Sequence, residues 1–194
     1  MNYIFDIDGT LMDIDHRRHF VEGETKDWKS FEENIKYDSV NTKLNNLISQ
    51  LSGIHWEKRH VEYGECEEHD VGDLRNNIYY FSGRSEKHRD ITIAQILYGM
   101  FKEKYSIDKL LKEFKNENSL WCEHIYPSLS SKLFLRADKD YRADAIIKSE
   151  ILDKLINIGL IDEDNLIIFD DRQSVVDMWR ARGLTCFQVA EGDF

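Results

Sequence analysis

The sequence of 194 residues has one proline, no glycine- or serine-rich tract and no internal repeat, so nothing in it reads as a linker between domains. Its three cysteines, Cys66, Cys122 and Cys186, are odd in number and widely spaced, which argues against a disulfide framework and for a reducing cytoplasm. No apolar run approaches the length of a membrane span. The first residues carry acids rather than a basic patch followed by an apolar run, so neither a membrane anchor nor a signal peptide is expected. Bases are scarce as well: 26 Lys and Arg stand against 37 Asp and Glu, a net charge of −11. That argues against non-specific binding of duplex nucleic acid through a broad basic face, but leaves room for a small arginine-lined pocket gripping one phosphate. The pattern G-x-x-x-x-G-K-[ST] does not occur, so no Walker-type kinase site is expected.

What is present fits one globular domain over 1–194, with 41% hydrophobic and 12% aromatic residues. Residues 2–5 (Asn-Tyr-Ile-Phe) read as a buried central strand that runs into Asp6-Ile7-Asp8-Gly9-Thr10. If the strand continued, Asp6 and Asp8 would point to the same side and repel unless a cation or shared proton intervened. A hard divalent ion such as Mg²⁺ suits such a pair. The plain alternative is a solvated turn, since Asp-Gly is a common turn dipeptide.

Four more strands are predicted at 78–81, 132–135, 166–169 and 185–189, with helices at about 40–51, 88–103, 106–115, 142–152 and 173–182. Trp28, Phe31 and Ile35 read as the apolar face of a further short helix, and Cys186 as a small core residue. This alternation gives an α/β fold with a doubly wound parallel sheet. The stretch at about 11–38 is too long for an ordinary connection and is a candidate lid. The stretch at 54–75 holds seven acids against three bases and includes His55, His60, Cys66 and His69, whose spacing is not a standard zinc pattern; a surface hairpin is expected.

Polar residues recur where strands end: Asp6 and Asp8, then Ser82-Gly83-Arg84, then Asp170-Asp171. Asp144 and Lys148 are i and i+4 on one helix face, where a surface salt bridge is the ordinary reading. Carboxylates, a lysine, a serine and an arginine converging at strand ends suit metal-assisted phosphoryl transfer through an aspartyl-phosphate.

These motifs resemble those of the haloacid dehalogenase (HAD) superfamily phosphatases. With Arg17, Ser82-Gly-Arg-Ser-Glu86 and the stretch from Asp170 to Phe194, the resemblance narrows to the 3′-phosphatase domain of phage-type polynucleotide kinase/phosphatase. It implies an HAD-like Rossmannoid fold and Asp6 as nucleophile, with Mg²⁺ held by Asp6, Asp8 and Asp170. It implies Asp8 as acid and base, and Ser82, the Gly83 amide and Lys148 around the phosphoryl oxygens. Asp144 and Asp171 would orient these groups, Arg17 and Arg84 would contact substrate or brace the site, and Thr10 would support it. The expected activity is removal of 3′-phosphates from polynucleotide ends. The alternatives are the same chemistry on nucleotides or small phosphoesters, or a non-catalytic module that binds phosphorylated ends. The resemblance also makes the stretches at about 54–75 and 105–130 candidate lid insertions. The family's kinase portion has no counterpart in these residues.

Overall fold

The computed structural model describes residues 1–52, 76–101, 105–119 and 121–192. Five strands, β1 (Asn2–Asp6), β4 (Asn77–Ser85), β5 (Leu133–Arg136), β6 (Leu166–Arg172) and β7 (Thr185–Gly192), form one parallel sheet in the order β5-β4-β1-β6-β7. Two short strands, β2 (Met12–Asp13) and β3 (Ser39–Val40), pair antiparallel beside it. The helices are α1 (Asp15–Arg18), α2 (Trp28–Glu33), α3 (Thr42–Leu51), α4 (Arg89–Met100), α5 (Ile107–Glu113), α6 (Tyr126–Ser130), α7 (Asp144–Asn157) and α8 (Gln173–Ala181).

All five sheet strands lie where the sequence predicts them, because each is a short β-prone run bounded by polar residues. Alternation along each strand divides the core between two faces. Phe5, Ile78 and Tyr80 join the cluster that includes Ile48 of α3 and Ile93, Ile96 and Leu97 of α4. Ile4, Tyr79 and Phe81 face the other way, with Leu152 and Leu155 of α7 and Val175, Val176 and Trp179 of α8. Phe5 and Phe169 stack on neighbouring strands, their ring centroids 4.6 Å apart. Cys186 is buried in the second cluster, which pushes its thiol up to about 12 and leaves it inert.

The sheet is wound outward from β1: the chain goes to β4 and β5 on one side, then to β6 and β7 on the other. Such a reversal opens a crevice at the carboxyl end of β1, the usual ligand site of this architecture.

Two local expectations are corrected. Of the expected apolar face, Phe31 and Ile35 are buried, Ile35 in a 3₁₀ turn beyond the end of α2, but Trp28 at the start of α2 is 49% exposed. Val40 belongs to β3, since Asn41 caps α3 by accepting from the Leu44 amide. Ser106 caps α5 as the sequence predicts, accepting from the Lys109 amide. Around 105–130, aromatic contacts tie the chain to the end of α4: Trp121 packs edge-on to Phe101 and Tyr105, and Phe114 meets Tyr126. The stretch 54–75, with its histidines and Cys66, lies outside the described residues. No helix among the described residues is long and apolar enough to cross a membrane.

Trp179 is fully buried beneath β6 and β7, away from the crevice. Trp179→Ala is expected to destabilise the protein by about 3–5 kcal/mol, read as a lower urea midpoint at unchanged slope.

Candidate active site

The first strand ends at Asp6, and the chain then closes a tight loop. The Met12 amide donates to the Ile7 carbonyl at 2.8 Å, and the Gly9 amide to the Met12 carbonyl at 2.8 Å. Gly9 adopts φ +86°, a left-handed conformation that suits glycine. Asp8 is therefore not a continuation of the strand. Its carboxylate points to a different set of partners from that of Asp6.

Asp6 faces Lys148. The ammonium, 1% exposed, donates to Asp6 Oδ1 at 2.6 Å and to Asp170 Oδ2 at 2.8 Å, and lies 3.3 Å from Asp144 Oδ2. The Asp144–Lys148 pair is thus no surface salt bridge. It carries the lysine from α7 to the ends of β1 and β6. Burial alone would strip the proton from Lys148, but Asp144, Asp170 and Asp6 outweigh it and hold the pKa well above the usual lysine value. Burial raises the pKa of Asp6 well above the carboxylate range despite Lys148, and raises that of Asp170 as well. Asp171 is pushed up to about 6, by burial and then by the charge of Asp170.

One ammonium faces four carboxylates here, with Arg136 and Arg172 reaching Asp144 only at 3.6 and 4.0 Å. Asp6, Asp170 and Asp171 each offer an oxygen within 4.8 Å of the others. Asp6 Oδ2 and Asp171 Oδ2 are buried with no hydrogen-bond partner among the described residues. Excess negative charge and unsatisfied hard oxygens fit a divalent cation. The third acid of this triad is Asp171 rather than Asp8.

Asp171 is held by shape. A β-carbon added at Gly9 would fall 2.1 Å from its Oδ2, and one at Gly192 would fall 2.2 Å from the same atom. The loop after β1 and the end of β7 therefore both press backbone against this carboxylate. Gly83 plays the same part for Asp144, whose Oδ1 would lie 2.7 Å from an added β-carbon.

Asp8 belongs to a second network. Arg84 donates to its two oxygens from Nε at 3.0 and 3.1 Å and to Oδ1 from Nη2 at 2.6 Å; Arg17 Nη2 reaches the same Oδ1 at 2.6 Å. Burial would raise the Asp8 pKa, but Arg84 and Arg17 overcome it and leave the carboxyl well below its ordinary range. Both arginines also bond buried Asp38, at 2.6–2.7 Å. Arg84 Nη1 is taken by Thr92 and Gln95, and the Arg17 guanidinium lies 4.1 Å from the centre of the Phe31 ring. The two arginines are thus placed as braces of Asp8. Ser82 is fully buried, its hydroxyl accepting from the Arg84 amide at 3.2 Å, and Thr10 is fully buried with its hydroxyl unpartnered among the described residues.

Sequence reasoning overlooked Asp38, Gln95, Arg136 and the two glycines that flank Asp171. Asp38 sits in a polar stretch that marks no acid as special. Arg136 could have been found, as a charged residue at the carboxyl end of a strand. Its Nε donates to the Gly83 carbonyl at 2.8 Å.

Two variants test this geometry. Gly192→Ala should leave the fold intact by circular dichroism but displace the Asp171 carboxylate, lowering turnover by about tenfold or more in the assay described under the proposed function. Asp38→Asn removes the charge shared by two buried guanidinium groups and should cost about 3–5 kcal/mol in urea unfolding.

The family model described as the polynucleotide kinase PNKP phosphatase domain (HAD_PNKP) matches residues 67–194, which include Ser82, Lys148, Asp170 and Asp171. A chain in the solved structure of the Pnkp1/Rnl/Hen1 RNA repair complex is similar in fold, with TM-score 0.51 and 23% identity. The match covers 100% of this protein but 43% of that chain. Asp6 and Asp8 lie before the matched segment, and the central strand brings them to it. The protein belongs to the family of polynucleotide kinase phosphatase domains and is a phosphatase of the HAD type.

Proposed function

We propose that this protein is a magnesium-dependent phosphomonoesterase that removes 3′-phosphates from nucleic-acid ends through an aspartyl-phosphate. The observation that carries the chemistry is Asp6. It is buried at the carboxyl end of the central strand, with one oxygen bonded to Lys148 and the other unpartnered among the described residues. The end of a polynucleotide as substrate is supported by the family to which the chain belongs.

In the proposed reaction a carboxylate oxygen of Asp6 attacks phosphorus and the bond to the 3′ oxygen breaks. Asp8, which Arg84 and Arg17 hold ionised in this structure, takes up a proton from solvent as the phosphate dianion enters and gives it to that leaving oxygen. It then takes one from a water, which attacks the acyl phosphate, frees Asp6 and releases inorganic phosphate. Lys148, the Ser82 hydroxyl and the Gly83 amide hold the phosphoryl oxygens, and Thr10 supports the loop beside them. Arg17 and Arg84 keep Asp8 in place, while Asp144 fixes Lys148. Asp6, Asp170 and Asp171 would hold Mg²⁺. When bound, the ion neutralises phosphoryl charge as a Lewis acid.

A second reading, hydrolysis of free nucleotides or small phosphoesters, draws support from the net charge of −11, which opposes long polyanions. The deciding measurement is phosphate release from matched 3′- and 5′-phosphorylated oligonucleotides and from 3′- and 5′-mononucleotides. Release from the 3′-phosphorylated oligonucleotide is expected, lost with EDTA and restored by Mg²⁺. Asp6→Asn should lower kcat by about 10³-fold or more. Faster release from mononucleotides would favour the second reading, and equal activity of Asp6→Asn would defeat both.

A further inference from the structure

Tyr141 is 90% exposed, yet the backbone that carries it is tightly held. It lies between β5 and α7, at the carboxyl edge of the sheet. Arg136 Nη1 donates to the carbonyls on either side of it, Asp140 at 3.0 Å and Arg142 at 2.6 Å. The same guanidinium donates from Nε to the Gly83 carbonyl. The root of Tyr141 is therefore fixed one guanidinium's width from the Gly83 peptide. On the other side of the loop, Asp138 accepts from the Ser85 hydroxyl and, at 3.2 Å, from the Lys87 amide. Arg142 is itself bound by Asp140 and Glu150, and Lys139 takes a left-handed turn at φ 65°.

The other exposed aromatics near the site are already engaged. Lys26 lies 5.6 Å from the Trp28 ring and Lys36 lies 4.7 Å from that of Tyr37. Among the described residues, Tyr141 has no such ring contact. Lys87, whose amide donates to Asp138 of the same loop, bonds Glu32 of α2 through its ammonium at 2.6 Å. An uncovered ring whose backbone is tied through Arg136 to the Gly83 peptide has the makings of a nucleobase platform.

Building on the proposed function, we infer that Tyr141 stacks on the base of the nucleotide that bears the 3′-phosphate. Stacking needs a free base face, so the favoured end is unpaired. It is tolerant of sequence, because every base offers such a face. Gly83 would fix the phosphate and Tyr141 the base of one and the same nucleotide, with Arg136 setting the distance between them.

The test compares wild type, Tyr141→Ala and Tyr141→Phe on three substrates: a single-stranded 3′-phosphorylated oligonucleotide, the same oligonucleotide with an abasic terminal residue, and glycerol 2-phosphate. Tyr141→Ala should raise KM for the first about tenfold, leave the other two unchanged, and be rescued by Tyr141→Phe. Equal KM for wild type and Tyr141→Ala on the intact oligonucleotide would overturn the inference while leaving the proposed function standing. Wild type that acts on glycerol 2-phosphate but on no oligonucleotide would defeat the function and the inference together. An equal loss on all three substrates would assign Tyr141 to the fold of the loop and overturn its stacking role.

Discussion

The site depends on one buried ammonium. Removing Lys148 from water is costly, and its proximity to Asp6, Asp144 and Asp170 offsets that cost. The same contacts gather those carboxylates at the ends of β1 and β6 against their mutual repulsion. Lysine suits the position because it is a compact point charge on a long stem: it can reach three acids from a helix that packs on one face of the sheet. Even with Arg136 and Arg172 at 3.6 and 4.0 Å from Asp144, acids outnumber bases here, and the unpartnered oxygens of Asp6 and Asp171 suit a hard cation.

A second charge network makes the polar stretch after β1 part of the site. Arg17 comes from α1, Arg84 from β4 and Asp38 from the turn before β3, and all meet Asp8 or each other. Gln95 of α4 bonds both Arg84 and the Ile35 carbonyl, while Glu32 reaches Lys87. The stretch is thus docked by the same groups that fix the Asp8 carboxylate. Moving it away would expose buried guanidinium groups and alter the acid they brace, so its position and the state of Asp8 are coupled.

The sheet and the acids at its strand ends were legible in the sequence because both obey local rules: β-prone runs make the strands, and the crevice forms where those runs stop. The spacing of Lys148 from Asp144 read as an ordinary surface salt bridge, and only the family resemblance pointed the lysine to the site. The orientation of Asp8 was not, because the choice between one more strand residue and a glycine-led turn rests on hydrogen bonds to Met12, a residue outside the motif. Asp38 was invisible for a related reason. Its meaning comes from two arginines, 21 and 46 positions away, that the sheet order brings to it. The stretch after β6 resembled the family without an evident cause. The structure supplies one in Gly192, whose lack of a side chain leaves room for the Asp171 carboxylate.

The electrostatics of the whole chain bear on how such a site would hold a polymer end. A protein with net charge −11 gains little by tracking a long phosphate backbone, because counterion release needs many basic contacts. Affinity would have to come from the terminal nucleotide: its phosphate in a cradle of amide, hydroxyl and ammonium, and its base on an uncovered ring. Those contacts are short-ranged and indifferent to the length of chain behind them. Such a design would recognise an end as an end, and the acidity of the chain would disfavour binding along the interior of a strand.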